Sequence, residues 1–173
     1  MENDKEIDYE DLMYACYATS QFQAALNYSY KYLENNPVTM DILLLQARCS
    51  TQLENILESL VKYQEIIRKY KDHPNVKEAF LELSVIFYKL GNYKVVIPLL
   101  QQAISLGYEE SLCLELMADC YLNMEQFDAA ANTFIKAVNF SEHKKLVYRN
   151  IAECYLHLNQ IDLADEYLDL AEA

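Results

Sequence analysis

The chain has 173 residues and is strongly acidic: 14 Lys+Arg against 27 Asp+Glu give a formal net charge of −13. Hydrophobic residues make up 53%, which excludes an intrinsically disordered chain. Only two Gly and three Pro leave too few turn residues for an all-β sandwich or barrel. We therefore predict an all-α fold in a single domain that spans residues 1–173.

The charge and the apolar pattern also limit the classes of partner and the location. A net negative chain repels phosphate backbones and anionic membrane surfaces, so neither nucleic acid nor a membrane is an expected partner. The longest apolar run, from Val95 to Leu100, contains Pro98 and is far shorter than the roughly 20 residues that a membrane-spanning helix needs. The acidic N-terminus lacks the basic region of a secretory signal, so we expect a soluble protein in the reducing cytoplasm.

The first two predicted helical pairs, residues 6–39 and 40–76, carry an incomplete form of a pattern that is clearer later in the chain. In the first pair, Met13 stands where the pattern has a small residue. In the second pair, a short insertion follows near His73 and Pro74. The pattern positions are Leu12, Ala25, Tyr32 and Pro37 in the first pair, and Leu43, Ala47, Ser59, Tyr63 and Ile66 in the second.

Three further predicted helical pairs repeat at a constant interval, which is the step from Leu83 to Met117 and from Met117 to Ile151. These pairs are residues 77–110, 111–144 and 145–173. Within a pair, apolar residues recur at the spacing of an amphipathic helix, and a short polar turn separates the two helices. Because one hairpin of helices cannot bury both of its faces, the pairs are expected to stack on each other. The same interval relates Phe87 to Tyr121 and Tyr155, and Ala103 to Ala137 and Ala171.

This pattern resembles the tetratricopeptide repeat family. The resemblance implies a right-handed superhelical solenoid of antiparallel helix pairs, with about five repeats. It also implies a non-catalytic scaffold or adaptor without a cofactor. The match is most complete in residues 111–144, where only the final Pro of the family pattern is absent and the matching residues are Leu114, Met117, Ala118, Tyr121, Ala130, Phe134 and Ala137.

The same resemblance places a binding groove on the first helix of each repeat. Carboxylates lie there among apolar and aromatic side chains, a mixture suited to a peptide or an amphipathic helix that carries Lys or Arg. We therefore expect the partner to be another protein with a basic and apolar binding segment. The predicted groove residues are Tyr14, Tyr17, Arg48, Glu78, Leu81, Val85, Tyr88, Leu112, Glu115, Asp119, Leu122, Arg149 and Glu153.

The last predicted helix has no capping helix after it, and this leaves two interpretations open. The chain is either the N-terminal portion of a longer array, or its end is covered by a partner or by self-association. In the second case the protein would be a structural subunit, in a homodimer or a larger complex, with Leu163, Tyr167 and Leu170 as the contact. The small acidic tetratricopeptide chaperones of bacterial secretion are a weaker match because they usually carry fewer repeats.

Enzymatic interpretations find little support in the sequence. Two glycines cannot build a phosphate-binding loop, and no His residue has the spacing of a metal ligand. Glu153 and His157 lie one helical turn apart, which is typical of a surface pair. The five cysteines include no Cys-x-x-Cys pair, and Cys49, Cys120 and Cys154 occupy one small, buried repeat position. We therefore predict no catalytic residue, no metal and no cofactor.

Overall fold

The computed structural model describes residues 8–173, and all regular secondary structure within them is α-helical. The prediction of an all-α fold is confirmed. The predicted start of the first repeat at residue 6, like the acidic N-terminal residues, lies outside the described part. The helices are α1 Tyr9–Ala18, α2 Phe22–Leu33, α3 Met40–Gln52, α4 Ile56–Lys69, α5 Val76–Lys89, α6 Tyr93–Ser105, α7 Glu110–Asn123, α8 Phe127–Ala137, α9 Lys144–His157 and α10 Ile161–Glu172.

The chain forms two compact units, Met1–Ala79 (unit 1) and Phe80–Ala173 (unit 2), and the boundary falls inside α5. In unit 1, α1 packs on α2, α2 on α3, and α3 on α4. In unit 2, α6 packs on α7, α7 on α8, α8 on α9, and α9 on α10. Within each unit, these helices pack on their neighbours in the chain, as expected for stacked helical pairs. The predicted single domain and its repeat boundaries stay predictions.

The turn inside each helical pair has the same backbone geometry in all five pairs of the described chain. One residue takes a positive φ, between 57° and 73°, and the next N–H donates to a carbonyl five residues back, as from Gln126 to Tyr121 at 2.9 Å. Such a bond satisfies a carbonyl at the end of the first helix. The positive-φ residues follow one another at the repeat interval, except for one longer step that contains the predicted insertion; they are Ser20, Glu54, Gly91, Glu125 and Asn159.

The core of unit 2 consists of two apolar clusters. One joins α5, α6 and α7 and contains Leu81, Leu100 and Met117. The other joins α7, α8 and α9 and contains Phe134 and Ile151. The predicted packing role of the cysteines is confirmed, because the side chains of Cys49, Cys120 and Cys154 are all fully buried.

Unit 1 differs because its core includes a polar network. Gln46 is fully buried, and its Nε2 donates to Ser29 Oγ at 3.0 Å. Lys62 Nζ donates to Gln46 Oε1 at 2.8 Å. Later pairs carry Leu83, Met117 or Ile151 at the position of Gln46, so this network explains why the repeat pattern is weak in α3 and α4.

Candidate partner-binding surfaces

Asp119 on α7 lies at the centre of the predicted groove in unit 2, between α5 and α9. Burial and the Asp119 carboxylate together raise the pKa of the Tyr88 phenol on α5. On α9, the pKa of the Cys154 thiol is raised to about 12 by burial, by Glu153 and by Asp119. The charge of Asp119 therefore acts on both neighbouring helices.

The Asp119 carboxyl group is in an unfavourable environment for its charge. Its pKa is raised, first by burial and second by the carboxylate of Glu115 one helical turn earlier. Within residues 8–173, no Lys, Arg or His forms an ion pair with Asp119. Glu115 accepts a hydrogen bond from Ser111 Oγ at 3.1 Å. A half-buried carboxylate without a cation is stabilised by any cation that reaches it.

The other predicted groove residues of unit 2 offer both apolar and charged surface. Leu112 is 47% exposed, Glu153 and Arg149 are exposed, and Leu122 is half-buried. We call this surface the unit 2 face; its residues are Val85, Tyr88, Leu112, Glu115, Asp119, Leu122, Arg149 and Glu153.

Leu81 does not belong to this surface. It is 9% exposed and packs in the core cluster with Val96 and Leu100. It therefore has little surface for a partner, although the repeat frame assigns it to the groove. Nearby Tyr88 is half-buried, and its ring meets that of Tyr93 edge-on at 5.5 Å.

In unit 1, the predicted groove residues include two tyrosines. Tyr14 is 41% exposed, and burial, Asp41 and Glu10 raise its pKa. The ring of Tyr17 packs edge-on against Phe22 at 5.8 Å.

Arg48 and Glu78 are also in unit 1, and they form an ion pair of 2.7 Å with each other. The carboxylate of Glu78 thus already has a cation, in contrast to that of Asp119.

The predicted contact residues on α10 divide into two groups. Leu163 and Leu170 are exposed, at 38% and 43%. The ring of Tyr167 instead stacks on that of Tyr155 at 5.6 Å and lies 6.2 Å from that of Tyr148. Tyr167 therefore packs on α9.

Three further apolar side chains on α9 and α10 are exposed and were not among the contact residues predicted for the last helix. They are those of Leu156, Ile161 and Leu168. A shift of one repeat relates Leu168 to Phe134, which is buried in the cluster that joins α8 and α9. That shift was the available signal, because it identifies the side of α10 that a following helix would cover.

Three other observations concern the described residues. No three His, Cys, Asp or Glu side chains within residues 8–173 are grouped so that they could hold a metal ion, and no helix there has both the length and the apolar character needed to cross a membrane. The ring of His157 stacks on Phe127 at 4.3 Å, with an angle of 3° between the rings.

Comparisons with known proteins agree with this architecture. The family model described as "Tetratricopeptide repeat" matches residues 113–143. No curated protein sequence matches the chain.

Among solved structures, a crystal structure of MamA is similar with a TM-score of 0.80 and 17% identity, over 96% of this chain and 94% of that one. A second MamA crystal structure gives 0.81 and 18%, over 94% and 87% of the two chains. MamA 41-end from Desulfovibrio magneticus RS-1 gives 0.78 and 15%, over 95% and 91%. The tetratricopeptide resemblance is thus confirmed by the family model over residues 113–143, and the fold over nearly the whole chain is similar to that of MamA.

Proposed function

We propose that the protein is a non-catalytic scaffold that binds another protein, and that the unit 2 face holds a basic, apolar segment of that partner. The observation that carries this proposal is Asp119: a half-buried carboxylate with a raised pKa and no ion pair within the described residues. Neighbouring Glu115 adds to the negative potential at the same place.

Charge and apolar surface have separate roles in this proposal. A Lys or Arg of the partner would neutralise the charge of Asp119 and would also be attracted by the carboxylate of Glu115. This attraction favours association and fixes the position of the partner segment along the groove. Burial of apolar side chains against Leu112 and Leu122 would supply most of the affinity, at roughly 25 cal/mol per Å² of apolar surface removed from water. An amphipathic helix or an extended segment with alternating Lys and Leu satisfies both requirements.

The proposal can be tested with designed peptides. The probe is an amphipathic peptide of about 18 residues, long enough to form a helix, with Leu on one side and Lys on the other. The control peptide has Glu in place of each Lys. Fluorescence anisotropy would be measured with the wild-type protein, with Asp119→Asn, and with Asp128→Asn, a matched change of an exposed carboxylate on α8.

We expect the wild-type protein to bind the Leu/Lys peptide and to bind it more weakly as salt is raised, because salt screens the charges. Asp119→Asn should weaken binding about five- to tenfold, whereas Asp128→Asn should not change it. Equal affinities of the two peptides, or equal effects of the two substitutions, would contradict the proposal.

A second candidate function is that of a structural subunit that assembles through its last helix. The exposed Leu163 and Leu170 favour it. In that case sedimentation velocity should show a dimer that increases with protein concentration and is lost in Leu163→Asp or Leu170→Asp. A monomer at all concentrations would exclude self-association and leave the unit 2 face as the functional surface.

A further inference from the structure

The outer side of α4, in unit 1, carries two strongly exposed aliphatic side chains. Leu57 is 81% exposed and Val61 is 61% exposed. Together with the exposed Gln64 and Arg68 they lie on one side of the helix, at spacings of four, three and four residues. We call this surface the α4 stripe; it consists of Leu57, Val61, Gln64 and Arg68. The helices before and after α4 are both present in the structure, so the stripe is not the last layer of the stack.

The apolar character of the stripe is specific to this helical pair. The positions of Leu57 and Val61, counted from the positive-φ residue of the turn, are occupied in the other four pairs by polar residues or proline. These residues are Gln23, Lys94, Asp128 and Asp162 at the position of Leu57, and Asn27, Pro98, Asn132 and Glu166 at that of Val61. A single exposed aliphatic side chain is ordinary, but two on consecutive turns at otherwise polar positions indicate a contact surface.

The two ends of the α4 stripe carry opposite charges. Glu54 lines a shallow surface cavity with Leu57 at the start of α4, and Arg68 lies in the last turn. Both side chains are exposed, and neither forms an ion pair within residues 8–173. Each is seven residues from Val61, in opposite directions along the chain. An antiparallel pair of α4 helices with its two-fold axis near Val61 therefore brings Glu54 of each copy opposite Arg68 of the other.

The charge near α4 also favours a second copy over a partner that carries charge of one sign. Two chains with a net charge of −13 repel each other over most of their surface. Residues 54–71, however, contain three carboxylates and four Lys or Arg residues, so the repulsion is small there. A partner with only acidic or only basic residues would match one end of the stripe and be repelled by the other.

The side chains beside the stripe are held in place by the polar network of unit 1. Tyr30 on α2 donates a hydrogen bond from its hydroxyl to Glu58 Oε1 at 2.7 Å. Lys62 Nζ lies 5.8 Å from the centre of the Tyr30 ring and donates to the buried Gln46 at 2.8 Å. Because these contacts already order the side chains on one flank of the stripe, less conformational entropy is lost when a second copy binds.

We propose that the protein forms a two-fold dimer through the α4 stripe. Leu57 and Val61 of the two copies pack together at the centre, and a Glu54–Arg68 pair closes each end. The helix has 14 residues and is about 21 Å long, so the contact is smaller than the roughly 800 Å² per partner of a standard interface. The dimer is therefore weak, with a dissociation constant on the order of 100 µM.

The test is sedimentation velocity from about 10 to 500 µM protein, a range that spans this dissociation constant. The proteins are the wild type, Val61→Asp, Glu54→Arg, Arg68→Glu and an equal mixture of the last two. Two controls change the net charge by the same amounts at exposed positions of unit 2: Asp128→Arg matches Glu54→Arg, and Lys94→Glu matches Arg68→Glu. Circular dichroism checks that each variant keeps its helix content.

The wild-type protein should dimerise as its concentration rises. Val61→Asp should abolish the dimer, because it places two carboxylates together at the two-fold axis. Glu54→Arg and Arg68→Glu should each weaken the dimer at least about tenfold, whereas the two controls should not. The equal mixture should regain the wild-type affinity, because opposite charges then face each other at both ends of the heterodimer.

Four results would overturn the proposal. They are a monomer at all concentrations, a dimer that Val61→Asp leaves unchanged, a mixture that associates no better than its separate components, and controls that weaken the dimer as much as Glu54→Arg and Arg68→Glu do. A dimer that is lost in Leu163→Asp but kept in Val61→Asp would instead place the contact on α10.

Discussion

Arg48 Nη2 lies 2.7 Å from Glu78 Oε2, and this ion pair connects α3 to the first turn of α5 within unit 1. The two side chains are 32% and 36% exposed, so solvent screens the pair and its contribution to stability is at most about 1 kcal/mol. Its main consequence concerns binding. A carboxylate that already has a cation attracts a partner's Lys less than one that has none.

We therefore expect Glu78→Gln to change the affinity for the Leu/Lys peptide less than Asp119→Asn does. The free energy of unfolding should fall by no more than about 1 kcal/mol. Anisotropy and urea unfolding measure the two quantities. If Glu78→Gln weakened the peptide as much as Asp119→Asn, the surface around Arg48 in unit 1 would also have to bind the partner.

The raised pKa of Asp119 predicts how stability depends on pH. Its protonated form is favoured by the fold, so its favourable contribution is present below the ordinary Asp pKa and is lost as pH rises through the folded-state pKa. Asp119→Asn should therefore stabilise the protein at neutral pH, and this gain should shrink as pH falls toward about 4. Thermal unfolding of both proteins across this range, with Asp128→Asn as the control, measures the effect. A gain that grows on acidification would have the wrong sign.

The cysteines should report on global unfolding. Burial raises the thiol pKa of Cys49 to about 11. Burial and nearby carboxylates raise it to about 11 in Cys113 and to about 12 in Cys120 and Cys154. Because the thiolate is the reactive form, these four thiols should resist a disulfide reagent in the native protein. We expect the partly exposed Cys16 to react in the native protein, and the four buried thiols to react only after denaturation. Rapid native reaction of a Cys16→Ser protein would contradict this.

Gly91 should be sensitive to substitution for a reason that involves only the backbone. Its φ is 73°, and an added Cβ would meet nothing within 4 Å. Gly91→Ala should therefore lower the free energy of unfolding by about 1 kcal/mol without any change in packing. Glu125, with φ of 57° at the equivalent turn, provides the reciprocal change: Glu125→Gly should be neutral or stabilising. Urea unfolding measures both, and a neutral Gly91→Ala would mean that the turn differs in solution.

The all-α fold could be predicted because large and small apolar side chains recur at a constant repeat interval along amphipathic helices. The polar core of unit 1 could not be predicted, because Gln46 is tolerated only through Ser29 and Lys62, which lie on other helices. Leu81 was assigned to the groove by its repeat position, but packing with α6 and α7 buries it.

Asp119 is predicted to lie in the groove by the same repeat frame, whereas its lost hydration depends on the side chains packed around it. On α10, Leu163, Tyr167 and Leu170 were predicted as a contact because no capping helix follows them in the sequence. The side that a following helix covers becomes clear only from the packing of α9 on Ala131 and Phe134.

The most direct test of the proposed function is to map the bound Leu/Lys peptide by amide chemical-shift perturbation. The largest shifts should centre on Tyr88, Asp119 and Leu122, and they should need a higher peptide concentration in the Asp119→Asn protein. Shifts confined to α6 and α8, or an unchanged map and affinity in Asp119→Asn, would contradict partner binding on the unit 2 face.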